Sequence, residues 1–308
     1  MALTGASRGI GLATARALCA AGYTVVAGAR DVRPLAAAGL GAQLHAVKVD
    51  LTDGAALERF AAAVGRLVDG AAQRRACSAD RPTGAGGSSE GKTGAGPGGL
   101  VALINNAGVG ALGAGEEFPL GRAREVMDTN LWGAARLAQL LLPLLRAGAA
   151  PERPAYLVNV GSLIAEYPVP FHAYYAASKG ALRAYTLALR GELAGHGVAV
   201  VLLEPGDVAT GTTPLQHTAA GSPYGAAFAR VRGARTAKMA AAPRPAAVAP
   251  RLLRVLGQRR PPPIVACGGS APLLRLVRRL LPDRLAEYLT LHAYDLDGGG
   301  GSQPKRRH

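Results

Sequence analysis

Short apolar runs alternate with longer stretches of helical period along this chain. Residues 23–29, 45–49, 100–104, 155–160, 198–203 and 264–266 are continuous in their apolar character rather than alternating. That is the pattern of parallel strands covered on both faces. Residues 12–21, 55–68, 122–145 and 173–193 lie between them and place apolar side chains at helical spacing. Strand and helix in alternation predict an α/β fold: a Rossmann-type doubly wound parallel sheet of about seven strands, helices on both faces, in a single domain. Only Met1-Ala2-Leu3 stands ahead of the first glycine-rich turn, against the usual five or six residues of a strand. This predicts a stunted central strand, or a start site assigned too late.

Three segments interrupt the pattern. Residues 70–99 are rich in Gly, Ser, Ala and Arg, lack a hydrophobic period, and are expected to be a disordered insertion. Within it Gly86, Gly91, Lys92 and Thr93 match a P-loop spacing, but no strand precedes and no helix follows, so the match is one of composition. Residues 206–263 read as a Pro-rich substrate-loop region with a short helix near 224–238. The catalytic domain is thus expected over 1–270, followed by a helical extension at 271–295 and a flexible basic tail at 296–308.

Composition narrows the classes. A net charge of +15 invites nucleic acid, but the arginines are dispersed and aromatics make up 5% of the chain, which is not a stacking-plus-phosphate groove. No nucleic-acid partner is expected. Cys19, Cys77 and Cys267 are odd in number and far apart, which argues against a disulfide framework or a metal site and fits a reducing compartment. No apolar stretch reaches 18 residues, and chemistry-bearing residues begin at Thr4, so neither a membrane span nor a leader is expected and the location reads as cytoplasmic.

The chemistry begins at Thr4-Gly5-Ala6-Ser7-Arg8-Gly9-Ile10-Gly11, a turn between a strand and a helix. Glycines there let backbone approach a pyrophosphate, and the helix N-terminus supplies amide donors. The second strand ends at Arg30, where an acid would grip the ribose of NAD. Arg8 and Arg30 suit a 2′-phosphate, so NADP(H) is preferred; Asp31, one residue on, leaves NAD(H) open. Downstream, Tyr175 and Lys179 stand four residues apart on a predicted helix, thirteen residues beyond Ser162. A cation beside a phenol lowers its pKa and makes a tunable proton donor.

With these motifs the chain resembles the short-chain dehydrogenase/reductase family, in its short single-domain branch. Thr4, Gly5, Gly9 and Gly11 match its glycine spacing, and Asn105-Asn106-Ala107-Gly108 matches the element after the fourth strand. Asn130, Ser162, Tyr175 and Lys179 match its catalytic set, Pro205, Gly206, Val208 and Thr210 the loop after the sixth strand, and Asp50 with Leu51 the end of the third. The similarity runs over about residues 2–213. It implies that Tyr175 donates a proton to a substrate carbonyl as hydride arrives from the nicotinamide, that Lys179 lowers the tyrosine pKa and bonds the ribose, and that Ser162 polarises the carbonyl. It implies that Asn130 places a water linking Lys179 to solvent. Thr4, Gly5, Ser7, Arg8, Gly9, Ile10, Gly11, Arg30, Asp50, Leu51, Asn106, Ala107, Gly108, Pro205, Gly206, Val208 and Thr210, with Tyr175 and Lys179, would hold the cofactor, and no metal is implied. It implies dimers or tetramers packed through the helices around Asn130 and Tyr175.

The expected function is reduction of a carbonyl on a small molecule, or oxidation of the secondary alcohol. Leu163, Ile164, Tyr167, Val169 and Phe171 suggest an apolar lining for the substrate. Two alternatives stay open: a catalytically silent NADP(H)-binding scaffold or sensor, and a peripheral-membrane lipid or steroid reductase. The second draws on Leu273, Leu274, Leu276, Val277, Leu280 and Leu281 with Arg275, Arg278 and Arg279 between them, a sequence that an interfacial helix could use. Packing of that helix on its own domain or a partner subunit is the favoured expectation. Tyr174, His172, His196 and Met127 are read as bystanders.

Overall fold

The computed structural model describes residues 1–79 and 99–296. In chain order the strands are β1 (Ala2–Thr4), β2 (Val25–Ala29), β3 (Leu44–Lys48), β4 (Ala102–Asn105), β5 (Ala111–Gly113), β6 (Ala155–Val160), β7 (Val198–Pro205), β8 (Leu215–His217) and β9 (Ile264–Cys267). The helices are α1 (Gly9–Ala20), α2 (Arg33–Ala36), α3 (Gly54–Ala79), α4 (Leu120–Met127), α5 (Gly133–Gly148), α6 (Ala173–Glu192), α7 (Gly225–Ala240), α8 (Ala249–Leu256), α9 (Ala271–Leu280) and α10 (Asp283–His292).

Seven strands form one sheet in the order β3-β2-β1-β4-β6-β7-β9, and every pair in it is parallel. The order reverses between β1 and β4, which opens a crevice at the carboxyl ends of the strands. Helices cover both faces. On one, Leu18 of α1 and Leu252 of α8 pack with Leu3, Ala27 and Ile104 of the sheet. On the other, Phe60 of α3 and Leu137 and Leu141 of α5 pack with Ala2, Val26 and Leu103.

The short β1 is secured from every side. Ala2 and Leu3 pair with β2 on one edge and with β4 on the other. Ala2, Leu3 and Thr4 are wholly buried, and Ala2 and Leu3 enter opposite cores. Burying a leucine side chain stabilises by about 2 kcal/mol, so the strand survives on packing and two ladders rather than on length.

Four departures from the sequence expectation have physical causes. The helix expected over 122–145 is three pieces, because a π-helical turn at Asp128–Trp132 separates α4 from α5. The segment expected to be irregular from 70 stays helical to Ala79; Ala, Gln and Arg there are strong helix formers. Residues 80–98, with the P-loop-like Gly86, Gly91, Lys92 and Thr93, lie outside the described residues. The 206–263 region holds more than one helix: α7, α8 and the strand β8, which pairs with β5 in a second, two-stranded parallel sheet. Finally, α9 packs against β9 by its arginine side and leaves its leucines outside.

Candidate active site

The glycine turn is shaped by contacts that a Cβ would break. Gly5 has φ +65° and lies against Ala107; a Cβ on Gly11 would come within 2.1 Å of the Gly5 carbonyl oxygen. The turn can close this tightly only without side chains. Thr4 stands behind it. Its hydroxyl accepts hydrogen bonds from the Asn106 and Ala107 amides, and the Asn106 side-chain amide donates to the Thr4 and Gly5 carbonyls. These bonds pin the loop after β4 to the loop after β1. Thr4 was expected to hold cofactor; its polar atom is spent on the scaffold instead.

Above the turn a cleft of about 1290 Å³ runs across the sheet ends, lined by Gly5, Ser7, Arg8, Gly9, Ile10 and Gly11 at one end and by Ser162, Tyr175 and Lys179 further along. Arg30, Asp50, Leu51, Asn106, Ala107, Gly108, Pro205, Gly206, Val208 and Thr210 also line it. Every expected catalytic and cofactor-binding residue therefore faces this cleft except Thr4 and Asn130.

The nucleotide end fits a polyanion. Arg8 is the N-cap of α1, its side chain makes no cap, and the first turn holds no acid, so the amides and the positive end of the helix dipole face the cleft unneutralised. Arg8 and Arg30 are exposed and, among the described residues, join no salt bridge. Asp31, the acid that would favour an unphosphorylated ribose, is instead gripped by Arg33 through Nε and Nη2 at 2.9 and 2.8 Å. The hydrogen bonds from Arg33 hold the Asp31 carboxyl down at about 2. Asp50 accepts from the Thr52 amide and hydroxyl at 3.0 and 2.9 Å, which lowers its pKa in turn.

At the other end Tyr175 and Lys179 project from the first turns of α6. Ser162 lines the cleft beside the Tyr175 phenol and lowers its pKa, and Ser162 Oγ accepts from the Ile164 amide at 3.3 Å. Lys179 is buried, and Nζ donates to the Val160 carbonyl at 2.8 Å. Burial pushes Lys179 down to about 8. The expectation that Lys179 lowers the tyrosine is corrected. Burial raises Tyr175, and the influences that oppose it are the Ser162 hydrogen bond and the charge of Arg235. Lys179 has turned to a carbonyl, and desolvation makes its charged form less favourable.

Asn130 lies just behind the cleft wall. It sits buried in the π-helical turn, with Oδ1 accepting from the Val109 amide at 2.8 Å and Nδ2 donating to the Val109 carbonyl at 2.9 Å and to Ser178 Oγ at 2.9 Å. Ser178 in turn donates to the Tyr175 carbonyl at 2.8 Å. Asn130 thus fastens the cleft wall to the helix that carries Tyr175. π-turns of this kind recur at functional positions.

Several contributors escaped the sequence. Arg235 of α7 reaches into the cleft, with Nη1 donating to Asp207 at 2.5 Å. Asn105 donates to Asn159, which donates to Thr186, both at 2.9 Å, a buried chain that ties β4, β6 and α6. The signal for that chain was the asparagine in each of two otherwise apolar strands. Leu163, Ile164, Tyr167 and Val169 line the cleft as expected. Phe171 does not: its φ is +65°, and its ring packs edge-on against Phe228 at 5.8 Å. Tyr174 hydrogen-bonds the Gly115 carbonyl, and His172 is buried at the head of α6, held down at about 4 by burial, so neither serves the phenol.

A parallel sheet reversing at β1/β4, a glycine turn with bare helix amides, and a Ser–Tyr–Lys group across one cleft are the features of a dinucleotide-binding α/β fold. Comparison with known proteins agrees. The family model for short chain dehydrogenases matches residues 1–71 and 92–220. A Xenopus laevis protein named dehydrogenase/reductase SDR family member 7B is 32% identical over 183 residues, 59% of this chain and 52% of its own length. The chain thus spans about half the length of that relative. A short-chain dehydrogenase structure from Streptomyces avermitilis is 27% identical with a TM-score of 0.70, covering 94% of this chain and 96% of that one. The Pseudomonas aeruginosa RhlG/NADP active-site complex is 27% identical with a TM-score of 0.64, covering 86% and 93%. The chain belongs to the short-chain dehydrogenase/reductase family.

Proposed function

We propose that this protein uses NADP(H) to reduce the carbonyl of a hydrophobic small molecule, or to oxidise the matching secondary alcohol. The observation that carries the reading is that Ser162, Tyr175 and Lys179 line the same cleft as Arg8, Arg30 and the bare amides of α1. NADP(H), when bound, supplies or accepts the hydride.

In reduction, Tyr175 holds a proton until the carbonyl oxygen needs it. Its raised pKa keeps the phenol protonated at neutral pH. Ser162 donates to the same oxygen and stabilises the charge that develops there. Lys179, close to half-charged near pH 8, is suited to binding ribose hydroxyls and to restoring a favourable field at the phenol. Arg8 and Arg30 supply two guanidiniums for a 2′-phosphate, and the Asp31–Arg33 pair removes the competing acid. The complex of RhlG with NADP, a relative at 27% identity, supports the same cofactor here.

The apolar wall of Leu163, Ile164 and Val169 favours a hydrophobic ketone over a sugar. Self-association through the helices around Asn130 and Tyr175 is part of this reading, and the exposed indole of Trp132, next to the π-turn, supports it.

The test is turnover of a carbonyl panel with NADPH and NADH in parallel. NADPH-dependent reduction of hydrophobic ketones is expected. Nucleotide binding with no turnover of any carbonyl would replace this reading with that of a silent scaffold.

A further inference from the structure

The C-terminal helix pair is inside out for a protein surrounded by water. Leu273, Leu276 and Leu280 share one face of α9 by their spacing, and are 62%, 57% and 77% exposed. Leu285, Tyr288 and Leu289 are also exposed on α10. Seven of the nine large hydrophobic side chains left exposed among the described residues belong to these two helices. Meanwhile Arg275 and Arg278 turn inward. Arg275 pairs with Glu166 and the buried Glu204, each at 3.3 Å, and Arg278 donates to the Glu166 carbonyl at 3.1 Å and to Asp283 at 2.6 Å. Those partners set the helix rotation, so the leucines have nowhere to go but out.

The same pair forms the rim of the cleft, where Leu274, Val277, Leu281 and Leu289 line it. No helix among the described residues is long and apolar enough to cross a membrane.

We propose that the outer face of α9 and α10 seats the enzyme on an anionic lipid bilayer, with the cleft opening onto the membrane so that a hydrophobic carbonyl substrate enters from the lipid. This rests on the reading of the cleft as a reductase site. A second copy is the poorer occupant, because seated on this face it would close the cleft rim that Leu274, Val277 and Leu289 line. An anionic bilayer is attracted by the net charge of +15, and exposed Arg279 and Arg284 stand beside the leucines at the level of the headgroups.

The test is flotation of the full chain with phosphatidylcholine vesicles, with and without phosphatidylserine. Wild type should float with the anionic vesicles, at least about tenfold better than with neutral ones. The triple variant Leu273→Glu, Leu276→Glu, Leu280→Glu should lose at least about tenfold of that binding while reducing a water-soluble ketone within about twofold of wild type. Should the triple variant fail to fold, Arg279→Glu with Arg284→Glu, both on solvated side chains, must still weaken binding to anionic vesicles. Absence of flotation by wild type, or equal flotation of wild type and the folded triple variant, overturns the proposal. So does light scattering that shows a dimer dissolved by the leucine changes with no flotation. Loss of ketone turnover with flotation intact would instead count against the reductase reading alone.

Discussion

Tyr175 and Lys179 were legible because their chemistry is local: four residues on one helix place them on one face wherever the helix goes. Their protonation was not legible, because it depends on burial. An unfolded lysine releases its proton near pH 10.4, the buried Lys179 at about 8. Between those values the unfolded chain binds more protons, so stability contributed by this residue rises with pH across the window, and below about 8 its whole penalty is present. Lys179→Met should therefore stabilise the cofactor-free chain at pH 7, by about 2 kcal/mol after loss of the bond to Val160, and abolish turnover. Urea melts at pH 7 and pH 10 check this; the gain should shrink at the higher pH. Arg30 admits a sharper kinetic prediction. Arg30→Ala should raise KM for NADPH roughly tenfold and leave KM for NADH nearly unchanged, since a charge-assisted bond of about 1.4 kcal/mol is tenfold.

At the scale of elements, the strands and most helices followed from continuous apolar runs and helical period. The π-turn at Asp128–Trp132 did not. Periodicity reads 122–145 as one helix, and a single extra residue per turn leaves too little trace in it. Nor did the face by which α9 meets the domain. Glu204 ends an otherwise apolar strand, which marks it as a buried acid needing partners, but nothing local names Arg183 and Arg275 as those partners. Burial raises the Glu204 carboxyl, so the cluster of Glu166, Glu204, Arg183 and Arg275 holds its charge only by mutual pairing. Arg275→Ala should cost about 2–3 kcal/mol, because Arg183 still covers Glu204, and should free α9 and α10 ahead of the sheet. Hydrogen exchange would register this as faster exchange in 271–292 with β7 still protected. Uniform exchange changes across the chain would argue that the cluster does not hold the helix pair.

At the scale of the molecule, one cleft joins three things the sequence presents separately: a basic nucleotide end, a phenol at the reaction end, and an apolar rim facing outward. Of the arginines behind the net charge of +15, Arg8 and Arg30 line the cleft, Arg183 and Arg275 pair with Glu204, and Arg190 and Arg235 are tied to protein oxygens.

The central claim is that Tyr175 is the proton donor of an NADPH-dependent reduction. It is tested most directly by NADPH consumption over a panel of hydrophobic ketones, for wild type and Tyr175→Phe, with NADPH binding followed by calorimetry. Wild type should turn over, and the variant should lose about a thousandfold of that rate while binding NADPH within about threefold of wild type. Wild-type turnover by Tyr175→Phe would contradict the account.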